Sequence, residues 1–481
     1  MARPDEVYMS KTLPPFTVQA RYDFFVIGGG SGGVRASRWA AARGLKVGIA
    51  EGARYGGTCV NVGCVPKKLY YHAVQCLGAL HDAEGFGWSV PTRVSHDWGT
   101  LRRNVDRYIL RLNGIYEGML DQTGVSRYQG WARFLDPHHV AISLCSGEGD
   151  QLEEVIVYAD HILIAPGSQA VLPEISGAEL IDTSDRFFAL DAQPRSAVVI
   201  GAGYIGVELA CALKGLGVET TLVTRGDLPL RGFDQDLRTR LDKVLRSGLT
   251  VHSGVMLTRV EQGEAGLKDV YLSDRDEPLR AEFVLAAIGR RPATHRLNLE
   301  VIGMALREGD GAIQVDSTYR TSHPHIFAVG DVINRAQLTP VALAEAMRVV
   351  AQLTGESLPP LDYDLVPTTV FTHPNVGTVG LSEEAARAQG YAVTIFETDF
   401  KPLHQALSSS PRRVYMKLVV CSVSDRVLGC HMIGDEAGEQ IQGLAAAMQA
   451  SITKTQLDQT IGIHPTMAEE WVTMRTPRAD F

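Results

Sequence analysis

The chain has 481 residues, more than one hydrophobic core holds, so several domains are expected. Apolar residues make up 45% and charged residues 21%, the composition of a soluble globular protein, and a net charge of −9 argues against nucleic acid as a partner. No apolar run approaches the roughly 18 residues needed to span a membrane, and residues 1–20, with Asp5 and Glu6 and no long apolar core, read as a loose tail rather than a secretory leader.

The first ordered element is an apolar strand over Tyr22 to Ile27, followed by Gly28-x-Gly30-x-x-Gly33 and a helix to about Arg43. In such a unit the first glycine permits the tight turn, the second lets a pyrophosphate approach the backbone, and the third allows close helix–strand packing. The helix N-terminus then offers free N–H groups to the phosphates. A second strand, Lys46 to Ala50, ends at Glu51, placed either to accept bonds from ribose hydroxyls or simply as a surface carboxylate.

Next comes Gly56-Gly57-Thr58-Cys59-Val60-Asn61-Val62-Gly63-Cys64-Val65-Pro66-Lys67-Lys68, in which two cysteines five positions apart bracket a turn and run into a helix. A pair so spaced can close to a disulfide and reopen, and a helix N-terminus with Lys67 nearby favours a thiolate. Zinc binding would need further ligands in a second cysteine pair or histidine knuckle, which the sequence lacks, and two inert core thiols are the other alternative. The seven cysteines are odd in number and mostly scattered, which fits a reducing, cytoplasmic compartment better than a secreted framework.

Further along, His161 to Ser168 is an apolar strand into a turn. Ser196 to Ile200, Gly201-x-Gly203-x-x-Gly206, a helix to about Leu216 and the strand Glu219 to Val223 then repeat the first unit. Two parallel-sheet dinucleotide units in one chain define an α/β fold with two Rossmann-like domains. The second unit ends Val223-Thr224-Arg225-Gly226, with Arg231 beyond and no carboxylate at the turn. Two arginines there suit a 2′-phosphate, unless they are ordinary surface arginines. Phe283 to Arg290 is another strand exit, and His325 to Val329 is a buried strand followed by Asp331, read either as a ligand contact or as a helix cap. From about Val366 alternating strands and two amphipathic helices mark a different, α+β domain. Near its end, His464 and Glu469 have the spacing of a proton-exchanging imidazole oriented by a carboxylate, although a solitary histidine is more often structural.

The cysteine segment resembles the redox-active segment of glutathione reductases, and the resemblance runs from about Tyr22 to Arg475. It implies an FAD-binding domain over residues 21–165, an NADPH-binding domain over 166–292, a central domain over 293–365 that completes the FAD site, and a dimer interface domain over 366–481. It implies that Cys64 faces the flavin as the charge-transfer thiolate, that Cys59 is the interchange thiol, and that Lys67 lies near the flavin with Glu208 as its ion-pair partner. Ser31, Gly32, Gly57, Thr58, Gly167 and Thr339 join Gly28, Gly30, Gly33, Glu51 and Asp331 at FAD. Tyr204, as an aromatic gate, with Ile205, Gly289 and Arg290 joins Gly201, Gly203, Gly206, Arg225 and Arg231 at NADPH. His464 is implied to enter the partner's site, which makes a homodimer obligate. Arg38, Tyr116 and Arg348 are implied to contact glutathione disulfide. Three departures from the family pattern stand out: Gly206 where many NADPH enzymes carry alanine, Met347 where some members carry a substrate arginine, and Ala165-Pro166-Gly167 in place of Ala-Thr-Gly. Dihydrolipoamide dehydrogenases, the nearest rivals, would want an acidic residue where Thr224 and Arg225 stand.

Overall fold

A computed structural model describes residues 16–91, 94–145 and 153–479. The tail expected over residues 1–20 lies outside the described residues as far as residue 15. By its internal contacts the chain forms two compact units. The first gathers residues up to Gly57 with Ile115–Gly167 and Pro292–Leu358; the second gathers Thr58–Gly114, Ser168–Arg291 and the chain from Pro359. Segment 58–114, within the range expected for the FAD-binding domain, thus groups with the second unit.

In the first unit, strands Ser126–Phe134, Val47–Glu51, Ala20–Ile27, Glu154–Ile164 and Ile326–Ala328 lie side by side and parallel. The antiparallel strand His139–Leu144 bridges the far ends of Ser126–Phe134 and Glu154–Ile164. Register brings Ile27 opposite Ala50 and Ile164, and Ile164 opposite Ala328, so four strands finish along one carboxyl edge. Phe24, Phe25, Val26, Ile162, Leu163 and Phe327 are all buried. That is the apolar run expected of strands covered on both faces. Helices Ser31–Ala41 and Thr339–Leu353 pack together over this sheet, and a Cβ on Gly32 would come within 3.3 Å of the Ala342 carbonyl.

The second unit holds a four-stranded parallel sheet in the order Phe283–Ala286, Ser196–Ile200, Glu219–Thr224, Thr250–Ser253. Leu257–Gln262, Lys268–Leu272 and Leu279–Ala281 form a small antiparallel sheet. Helix Tyr204–Gly215 packs on helix Cys64–Ala83 at Gly215, where a Cβ would sit 2.3 Å from Val74 Cγ1. The C-terminal part is a five-stranded antiparallel sheet, whose first strand, Thr368–Val370, begins close to the change of pattern at Val366. Its helices among the described residues are Glu383–Ala388, Ala437–Gln449, Lys454–Gln459 and Glu470–Thr473, where two were expected. The additional ones are of one turn or little more, too short for an apolar stripe to register in a sequence.

Candidate active site

Both glycine loops obey the same steric rule. Gly28 has φ +105°, and a Cβ there would lie 2.2 Å from the Ala165 carbonyl oxygen; Gly201 has φ +108° and the corresponding distance to Ala287 is 2.3 Å. A Cβ on Gly33 would sit 1.8 Å from the Gly28 oxygen, and on Gly206 1.9 Å from the Gly201 oxygen. The middle glycines differ: a Cβ on Gly30 would meet only Gly57 Cα at 3.8 Å, and on Gly203 nothing within 4 Å. Space therefore opens above the middle glycine, at the start of helices Ser31–Ala41 and Tyr204–Gly215, neither of which carries a side-chain cap. Uncapped N–H groups beside such space fit a pyrophosphate. Gly206 follows from this packing, since an alanine would have to displace backbone.

At the carboxyl edge of the first sheet, Glu51 accepts from the N–H groups of Gly29 and Ala53, both at 2.7 Å. Burial raises its pKa, and those two backbone donors partly oppose the shift. The carboxylate thus braces the glycine loop against the strand end. Gly57, φ +62°, packs on Gly30, where its Cβ would come 2.7 Å from the Gly30 Cα; Thr58 follows it. Gly167, φ +74°, has open space around it. Asp331 sits in the short helix Gly330–Ile333, so the strand end before it turns at once, and the long helix begins only at Thr339. Ser31 and Gly32 lie in the first turn of their helix.

Two residues escaped sequence reasoning. Glu345, 1% exposed, accepts from the Gly330 N–H at 2.6 Å. Its signal was a carboxylate on the apolar face of an amphipathic helix, among Val341, Ala342, Ala346 and Val349. Trp131 lies flat against Gly52, whose Cβ would come 2.3 Å from the indole, with the Arg296 guanidinium 4.2 Å from its ring centroid. Nothing in the local sequence pairs those residues.

Of the expected substrate contacts, Arg38 keeps a buried Nε without a hydrogen-bond partner, Tyr116 packs against the core of the first unit, and Arg348 donates to the Ala344 carbonyl at 3.0 Å. Met347 is half-buried beside Arg348.

In the second unit, Arg225 and Arg231 are exposed on the turn after strand Glu219–Thr224. Tyr204 is 40% exposed at the helix start, followed by Ile205. Gly289, φ +136°, has open space. Arg290 does not point freely: its Nε and Nη2 donate to the Ser168 hydroxyl and carbonyl at 2.8 and 2.7 Å.

The cysteine segment departs from expectation. Instead of a turn, Cys59 lies inside helix Gly57–Val62, and Cys64 opens helix Cys64–Ala83. The two helices meet at Gly63, where a Cβ would stand 2.8 Å from the Thr58 carbonyl and 3.3 Å from Cys59 Cα. Pro66 is tolerated because first-turn N–H groups have no intrahelical acceptor. One turn on, Lys67 Nζ meets Glu208 Oε1 at 2.7 Å, with the two side chains 16% and 4% exposed. Glu208 also accepts from the Phe371 N–H at 2.8 Å, and Lys67 lies 4.3 Å from the Phe371 ring centroid. At the other end of the chain, His464 Nδ1 stands 3.1 Å from Glu469 Oε1 while the imidazole is 82% exposed, flanked by exposed Ile461 and Ile463.

Two uncapped dinucleotide cradles, a cysteine pair on joined helices and a His–Glu pair are features of one class of redox enzyme. The pyridine nucleotide-disulphide oxidoreductase family matches residues 22–346, and its dimerisation domain matches 366–475. The chain is 43% identical to a glutathione reductase of Burkholderia cepacia over 95% of its own length and 99% of the relative's. It is 40% identical to the Nostoc sp. (strain PCC 7120) glutathione reductase, over 94% and 99%. With the chloroplastic/mitochondrial glutathione reductase of Pisum sativum it shares 37% over 95% and 83%. The chain belongs to the pyridine nucleotide-disulphide oxidoreductases and, within them, to the glutathione reductases.

Proposed function

We propose that the protein reduces glutathione disulfide to two molecules of glutathione with NADPH, through FAD and a Cys59–Cys64 redox couple, and so maintains thiol balance in the cell. The observation that carries this is near-full-length similarity to several glutathione reductases, at 37–43% identity. The cradle at Gly28, Gly30 and Gly33, with Glu51, Asp331 and Thr339, would hold FAD; the cradle at Gly201, Gly203 and Gly206, with Arg225 and Arg231, would hold NADPH. Open space over both middle glycines supports that fit. Held there, FAD would supply the hydride-accepting, two-electron chemistry that links NADPH to the cysteine pair.

The chain's own groups do the rest. Two electrons and one proton open the Cys59–Cys64 disulfide to a thiol at Cys59 and a thiolate at Cys64. Cys59 attacks one sulfur of glutathione disulfide, forming a mixed disulfide and expelling one glutathione thiolate. His464, held by Glu469, takes the Cys59 thiol proton as that attack occurs and passes it to the leaving thiolate. Cys64 then attacks Cys59, re-forming the disulfide and releasing the second glutathione. Lys67, fixed by Glu208, stands one turn along the helix that Cys64 opens. NADPH and one proton are consumed for each pair of thiols formed.

We infer the domain division 21–165, 166–292, 293–365 and 366–481, and a homodimer in which His464 serves the partner's site. Its exposure between Ile461 and Ile463 supports that reading, because apolar side chains so exposed favour burial against a second chain. No helix among the described residues is long and apolar enough to cross a membrane. A cytoplasmic location is the reading that the scattered thiols support.

The test is NADPH oxidation with glutathione disulfide by the parent, Cys59→Ser and Cys64→Ser. Loss of turnover in both variants is expected. Equal rates in parent and variants, or a parent that prefers lipoamide, would sink the proposal.

A further inference from the structure

Between strand Glu219–Thr224 and helix Gln235–Gly248 runs a loop that begins with Arg225 and carries Arg231 in its second half. For both guanidiniums to converge on one phosphate, the backbone between them must keep a single shape, and three observations show how it is kept. Leu230, 2% exposed, has φ +52°, a conformation that a leucine adopts only where its surroundings impose it. Its N–H donates to the carbonyl of Ala202, inside the glycine loop, at 2.9 Å. On the other side stands Arg238, in the first turn of the following helix. Its Nε donates to the Pro229 carbonyl at 2.9 Å, its Nη2 to the Leu228 carbonyl at 3.3 Å, and its Nη1 to Gln235 Oε1 at 3.1 Å.

We propose that Arg238 is a positioning residue that sets specificity for the nucleotide's 2′-phosphate. It grips the two carbonyls immediately before Leu230, so the strained residue and Arg231 after it are held in one geometry. The same bonds occupy two carbonyl oxygens of the loop, whose partial negative charge would otherwise be free to turn toward a bound phosphate. A planar five-donor fork is needed for this; a lysine's three donors radiate from one nitrogen, which cannot reach both carbonyls and Gln235 alike. The inference rests on the reading of Arg225 and Arg231 as the phosphate clamp.

The experiment titrates the holoenzyme with 2′,5′-ADP and with 5′-AMP by calorimetry, and measures kcat and KM for NADPH, in the parent, Arg231→Ala, Arg238→Met and Arg238→Lys. Losing two charge-assisted bonds to the loop is expected to lower the 2′,5′-ADP to 5′-AMP affinity ratio about tenfold in Arg238→Met. KM for NADPH should rise while kcat stays within about twofold, the pattern of lost uniform binding. Arg238→Lys should recover part of the ratio. An Arg238→Met protein that loses affinity for both ligands equally, or for neither, while Arg231→Ala loses the ratio, overturns the role of Arg238 and leaves the clamp standing. An unchanged ratio in Arg231→Ala overturns the clamp itself, and the inference with it.

Discussion

Gly203, the N-cap, and Gly206, in the first turn of helix Tyr204–Gly215, stand three positions apart, yet they are glycine for opposite reasons. Gly206 is constrained by the fold, with the Gly201 carbonyl 1.9 Å from where a Cβ would be, whereas Gly203 adjoins empty space and has φ −72°, which any residue adopts. Gly206→Ala is therefore expected to cost about 1–3 kcal/mol of stability, as overpacking does. Gly203→Ala should stay within about 0.5 kcal/mol of the parent in denaturant unfolding, yet weaken NADPH, because its methyl would enter the open space proposed to take the phosphates. A stable Gly206→Ala protein, or a Gly203→Ala protein with undiminished affinity for NADPH, would contradict this division. The alanine common at this position in other NADPH enzymes is thus no guide to nucleotide choice here, since this backbone has no room for it.

At the scale of elements, the helix after the loop that carries Arg225 and Arg231 is tied down by a charge that sequence gives no reason to expect inside. Lys417, on the interior antiparallel strand Val414–Cys421, is wholly buried and lies within 3.0 Å of Asp234, Asp236 and Glu383. Asp234 is also the N-cap of helix Gln235–Gly248, and Arg478 joins Asp236 and Glu383 from near the chain's end. Burial works against Lys417 keeping its proton, but the surrounding carboxylates raise its pKa. Burial likewise works against Glu383 being charged, yet hydrogen bonds from Lys417 and Arg387 bring it down to about 2. Lys417→Met leaves the fully buried Asp234 without a cation and Asp236 and Glu383 with arginines alone, and is expected to cost about 3–5 kcal/mol. The part due to Glu383 is whole above its ordinary value of 4.5 and is lost as pH falls through about 2. The variant's acid unfolding curve should therefore be flatter over that window, and a parallel curve would refute the coupling.

Across the whole molecule, burial lowers the pKa of His161, His252, His325, His373 and His431, which lie in both units. Above their ordinary value of 6.5 they are neutral whether folded or unfolded; below it the unfolded chain binds protons that the folded chain refuses, so stability falls as pH falls. His431 is 1% exposed, with Nδ1 2.7 Å from the Thr378 hydroxyl and Nε2 3.0 Å from the Leu381 carbonyl. It alone contributes up to about 1.4 kcal/mol per pH unit. A melting temperature that drops between pH 7 and 5.5, with a smaller drop in His431→Gln, is the expected result; no drop would show that these rings protonate within the fold.

The sequence by itself determined both dinucleotide units, because a buried parallel strand, a glycine turn and an amphipathic helix are each written within a few dozen neighbouring residues. It also singled out Cys59 with Cys64, and His464 with Glu469, since those pairs are close along the chain. Lys67 and Glu208, 141 positions apart, could be joined from sequence only by resemblance, and the structure sets them at 2.7 Å. Tertiary structure alone decided that the cysteines sit on two helices joined at Gly63, that Glu345 braces Gly330, that Arg290 is held by Ser168, and that Lys417 is buried among acids. Each of these depends on which distant backbone lies alongside, and neither hydrophobic periodicity nor local propensity carries information about a neighbour brought in by the fold.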